Sequence, residues 1–127
     1  MAIKNLTKDQ LFASAKPKLE KVELPQGTVY AKQWTLRESD EIHACSLQRA
    51  RTENPEVQDQ ADTEWRSKVI QYAICDDKGE PLFDNDTINE YTDLTQEIVT
   101  LMPKGALSVN GMKAIAEAAE EGTQSPN

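Results

Sequence analysis

The chain has 127 residues, a formal net charge of -8 and a sequence pI near 4.6. That length suits one domain with a modest hydrophobic core. The acidity argues against binding a phosphate backbone, which calls for positive surface. Charge is uneven: residues 1–34 carry six Lys/Arg against three Asp/Glu, and residues 35–127 carry eight against nineteen. A mildly basic arm therefore precedes an acidic body, which solubilises the chain and is able to orient a partner. Cys45 and Cys75 form no C-x-x-C pair, and the lone His43 cannot complete a His-rich metal site. Both cysteines suit buried free thiols in a reducing compartment. The start, MAIKNLTKDQ, has no apolar h-region, and no run approaches roughly 18 apolar residues, so neither a signal peptide nor a membrane span is expected.

Thr7 to Gln10 predicts a helix start, with Thr7 as cap, Gln10 at the third position, and Leu6 and Leu11 placed as a hydrophobic staple. The helix is expected to reach about Lys16 and stop at Pro17, with Leu11, Phe12 and Ala15 as its apolar side. From Leu19 to Trp34 the period changes: Val22 and Leu24 alternate with Lys21 and Glu23. The turn Leu24-Pro25-Gln26-Gly27 then leads to Val29, Tyr30 and Trp34, which predicts a β-hairpin. A lone hairpin is marginal in water, so this one must pack on helices or pair its edge with another chain.

Thr35 to Glu38 predicts a capping box opening a half-exposed helix to about Arg51, with Leu36, Ile42, Cys45 and Arg49 on one rough face and His43 on the surface. The polar stretch Thr52–Ala61 reads as a loop, and Asp62 as the cap of the next helix. Trp65, Val69, Tyr72 and Ala73 share a face of that helix, with Ile70 and Ile74 on the other side. It reads as the most hydrophobic helix and the centre of the core, running to Cys75. Asp76-Asp77-Lys78-Gly79 is a tight turn whose carboxylates accept backbone N–H groups; the spacing of Asp76, Asp84 and Asp86 does not fit a calcium loop. Thr87 to Glu90 reads as a third capping box. Its helix carries a stripe of Ile88, Tyr91, Thr95, Ile98 and Met102 and ends at Pro103-Lys104-Gly105. The five carboxylates between Asp84 and Glu97 then fall on a solvated helix face. After Asn110-Gly111, a last helical segment would bear Met112, Ile115, Ala116 and Ala119 on one side.

The predicted fold is mainly α: a small helical domain over residues 1–121, with an N-terminal β-hairpin at about 19–34 and a flexible tail at 122–127. No nucleophile elbow, phosphate loop, dinucleotide fingerprint or zinc-protease motif occurs. Cys45 and His43 stand two apart on a helix and do not face each other. The residues point to a binding protein without cofactor or metal rather than to an enzyme.

The hairpin Leu24-Pro25-Gln26-Gly27-Thr28-Val29-Tyr30 leads into the Thr35–Glu38 box. An Arg66-led helix, the turn Asp76 to Phe83, an acidic helix start at Asp86 and a late Asn110-Gly111 follow in order. This set, over roughly Leu19 to Ala116, resembles the tail assembly chaperones of long-tailed bacteriophages of the siphophage type. Asp77 stands where that family more usually has Glu, and the interval from Glu38 to Arg66 carries no resemblance. The resemblance implies a non-enzymatic role in the host bacterial cytoplasm: binding the tape measure protein, keeping it soluble and recruiting major tail tube protein, with absence from the mature virion. It also implies a longer frameshifted form and leaves room for a homo-oligomer. The contact residues expected under that reading are Val29, Tyr30, Trp34, Leu82, Phe83, Tyr91, Ile98 and Met102, all of which also suit the core. Other phage-encoded binding roles compete with it, namely an acidic nucleic-acid mimic or a tail completion protein. An enzyme would need a deep pocket with convergent polar groups around His43 or a carboxylate pair.

Overall fold

The computed structural model describes residues 5–14 and 16–111. In chain order these form α1 (Lys8–Ser14), β1 (Leu19–Leu24), β2 (Gly27–Lys32), α2 (Leu36–Ala50), α3 (Pro55–Ala73), β3 (Ile74–Cys75), a 3-10 helix (Ile88–Asp93) and α4 (Gln96–Val109). The fold is mostly helical with a small antiparallel sheet, in the order β1-β2-β3, that does not close into a barrel. The expected side of the last helix, Met112 to Ala119, and the tail 122–127 lie outside the described residues, as does Ala15.

The hairpin forms as its sequence requires. Pro25 and Gln26 make a two-residue loop, Leu24 pairs with Gly27, and Val22 pairs with Val29. Alternation puts Val22, Leu24, Val29 and Ala31 on one face, against the helices. The hairpin thus packs on its own body. The third strand was not expected. α3 stops at Ala73, and Ile74 and Cys75 continue as β3, pairing with Ala31 and Tyr30. This corrects the expectation of a helix to Cys75. An unpaired edge of β2 lies within reach, and pairing it satisfies backbone groups that a further helical turn would leave in solvent. Chain reversal follows at once: Asp76 Oδ1 accepts from the N–H groups of Lys78 (2.8 Å) and Glu80 (3.0 Å), and Gly79 adopts φ +83, open to it without a Cβ.

Both helix starts at Thr7 and Thr35 carry reciprocal capping boxes. α3 begins at Pro55, well before the predicted Asp62. Asn54 caps it by accepting from the Glu56 N–H at 3.0 Å, and Pro55 fills the first position, where its missing N–H has no partner to lose. The stretch taken for a loop is therefore the first two turns of α3, and Ala61 within it is buried.

The predicted helix from Ile88 to Met102 is two elements. Thr87 makes no side-chain cap; Asp84 Oδ1 instead accepts from the N–H groups of Asp86 and Thr87 and from the Thr87 hydroxyl. A 3-10 turn follows, and Thr95 caps α4. The acidic run Asp84–Glu97 accordingly spans a loop, a 3-10 helix and a first turn, not one helix face. α4 also passes through Pro103 and Gly105 to Val109. Proline in a helix interior costs about 3 kcal/mol. Burial of Met102, Leu107 and Val109 offsets it, since fully burying a side chain of that size is worth roughly 1.5–3 kcal/mol. α4, not α3, is the helix densest in apolar residues. α3 nevertheless holds the centre, with Val69, Ile70 and Ala73 fully buried.

Two apolar clusters result. One gathers Val22, Ala31, Ile70, Ile74, Ile88, Tyr91, Met102 and Val109 beneath the sheet. The other gathers Ile42, Val69, Ala73 and Ala106, with Trp34, Trp65 and Tyr72 at its margin. Neighbouring residues of α3 feed both: Val69 the second, Ile70 the first. Among the described residues no helix is long and apolar enough to cross a membrane.

Candidate functional site

The second cluster opens to solvent as a cleft of about 450 Å³ lined by Trp34, Ser39, Asp40, Ile42, His43, Ser46, Trp65 and Leu107. Four parts of the chain meet there: the end of the hairpin, α2, α3 and α4. Trp34 is fixed by its backbone. Its N–H donates to Asn110 Oδ1 at 2.8 Å, while Asn110 Nδ2 donates to the carbonyls of Ala106 (2.8 Å) and Lys32 (3.4 Å). Asn110, read from the sequence only as part of a break, thus ties the end of α4 to the hairpin exit. The Trp34 Nε1–H is buried and has no hydrogen-bond partner among the described residues. An unmade hydrogen bond of this kind costs roughly 1–3 kcal/mol. The cleft therefore combines apolar walls with a rim of hydroxyls, one imidazole and one carboxylate, while the Trp34 Nε1–H is enclosed within the protein.

A second, shallower depression of about 400 Å³ is lined by Thr28, Val29, Tyr30, Cys75, Asp76, Asp77 and Leu82. The expected contact residues divide between these places. Val29, Tyr30 and Leu82 come together in the depression, and Trp34 lines the cleft. Phe83 and Ile98 are half-buried against the first cluster. Tyr91 and Met102 lie inside that cluster, 3% and 2% exposed, and offer no surface; the Tyr91 hydroxyl oxygen accepts from Ser67. Trp65, Ile42 and Leu107 complete the cleft and were not singled out. Trp65 carried a signal, as a bulky aromatic on a helix face, but only the fold sets it opposite Trp34.

Reactive groups are subdued. Cys45 and Cys75 are free and buried, and burial pushes both thiols up, so the thiolate forms are disfavoured. Cys45 faces Glu41 and Glu64, while His43 lines the cleft. Tyr72 donates to Glu41 Oε2 at 2.6 Å, and this bond is the main cause that pushes the phenol up to about 12. Backbone donors hold the Asp76 carboxyl below its usual range, and the Thr87 hydroxyl and amide do the same for Asp84. Among the described residues no group of His, Cys, Asp and Glu is placed to hold a metal ion. The arrangement suits recognition of an apolar group. No protein-family model, curated protein or solved structure matches the chain.

Proposed function

We propose that the chain is a non-enzymatic chaperone of bacteriophage tail assembly, which binds the tape measure protein, keeps its apolar helices soluble and helps recruit tail tube subunits. It acts in the host bacterial cytoplasm and is absent from the finished virion. The order of motifs from Leu24 to Asn110 supports the family reading. The observation that carries the binding role is the Trp34–Trp65 cleft: apolar walls on an acidic body. An apolar side chain of a partner helix fills such a cavity. Exposed Leu36, Leu47 and Leu82 add apolar surface, while the net charge of -8 keeps the complex soluble.

The test is co-expression with tape measure and tail tube proteins of candidate phages, read by pull-down and light scattering. Binding with suppressed aggregation is the expected result; neither partner binding, with tape measure solubility unchanged, refutes it. Trp65→Ala should weaken capture by roughly 30-fold, as for an anchor worth about 2 kcal/mol. Trp34→Phe removes the N–H together with part of the indole ring system but keeps an aromatic wall, and should cost a smaller factor. Leu82→Ser, in the other depression, should weaken capture by a smaller factor than Trp65→Ala.

A further inference from the structure

The outer edge of β1 is self-complementary, and we propose that two copies of this chain pair there antiparallel, about a two-fold axis at Val22. This inference stands apart from the tail chaperone reading. It begins with the hydrogen-bonding phase of the hairpin. Lys18 and Gln33 are bonded across it at 3.1 Å, and Leu24 and Gly27 flank its two-residue loop. In an antiparallel ladder bonded and non-bonded pairs alternate. Glu20, Val22 and Leu24 therefore turn their backbone groups toward β2. Leu19, Lys21 and Glu23 turn theirs away from it, to the open side. The same phase leaves Tyr30 facing β3, where it pairs with Cys75. β3 covers the β2 edge, whereas no strand among the described residues covers β1.

A second β1 fits this edge in one register. Centred on Val22, it sets Lys21 opposite Glu23 of the other copy, and Glu23 opposite Lys21. These are the residues whose N–H and C=O groups point outward, so each backbone-bonded pair is also an opposite-charge pair, made twice by symmetry. Both side chains are exposed and belong to no ion pair among the described residues. Pro25 falls opposite Leu19 and has no N–H to give, which ends the ladder and fixes its length. Slipping the register by two residues in either direction loses both charge pairs and sets Lys21 opposite Lys21 or Glu23 opposite Glu23. Lysine on an edge commonly discourages pairing. Here its opposite number two residues away makes the edge attractive to its own copy, while a foreign strand without that pattern meets a mismatch.

The experiment is sedimentation velocity over a concentration series on the full chain and three variants, with circular dichroism to establish folding. The wild type should dimerise with rising concentration, and the amide protons of Lys21 and Glu23 should gain exchange protection in step. Lys21→Glu and Glu23→Lys each place like charges opposite twice, and each should raise the dimer dissociation constant at least tenfold. The double variant K21E/E23K restores the pairing and should return it close to wild type. A wild type that stays monomeric throughout overturns the proposal. A dimer unmoved by either single reversal, or one the double variant fails to restore, overturns it equally.

Discussion

A Cβ on Gly105 would collide with Val22 Cγ2, so the close approach of α4 to β1 depends on this glycine. Gly105→Ala gains helix propensity of about 1 kcal/mol but overpacks the contact by roughly 1–3 kcal/mol. We expect net destabilisation in urea unfolding, relieved when Val22→Ala is added. Asn110→Ala removes the acceptor for the Trp34 N–H and two side-chain donor bonds, and should cost about 1–3 kcal/mol in the same measurement. Tyr72 offers a titration test. Its folded value near 12 lies above the usual value near 10, so the stabilisation is complete below about pH 10 and is lost as pH rises through 12. Tyrosinate absorbance should show the Tyr72 phenol titrating late, and Glu41→Gln should bring it back toward the ordinary range.

Elements were legible where their causes are local. The Thr7–Gln10 and Thr35–Glu38 boxes and the Pro25-Gln26 turn each set their own geometry within four residues. The start of α3 escaped notice because residues 55–61 lack an apolar stripe, although Asn54 and Pro55 carried its cap. β3 was hidden because its partners, Tyr30 and Ala31, stand over forty residues upstream. Pro103 misled for the opposite reason: a strong local stop was overridden by burial on the sheet. Pro103→Ala restores a helical N–H and removes a ring clash, so it should stabilise by about 1–3 kcal/mol. Unchanged or lower stability would mean that the packing of the proline ring offsets its missing helical bond. The cleft escaped the sequence altogether, because its walls come from four separate parts of the chain.

At the scale of the molecule, α3 makes two clusters into one cooperative unit. Ile70→Ala in the first or Val69→Ala in the second should each destabilise, the former by roughly 2–5 kcal/mol. Either should leave a single transition, with tryptophan emission, reporting the second cluster, coincident with the loss of far-ultraviolet circular dichroism from the whole fold. Separate transitions would show the clusters to be independent. The junction that fuses them has no slack, for Ala73 ends the helix and Ile74 opens the strand with nothing between. One inserted residue there would change the facing of everything downstream. Either Ile74 leaves the first cluster for the outer side of the sheet, or α3 rotates by a hundred degrees or so and withdraws Val69 and Ile70 from their places. The same insertion beside Gly79 disturbs the reversing turn but leaves the facing of α3 and Ile74 unchanged. The chain thus keeps a frame of its own, read in faces rather than codons, and Ala73–Ile74 is where it is set.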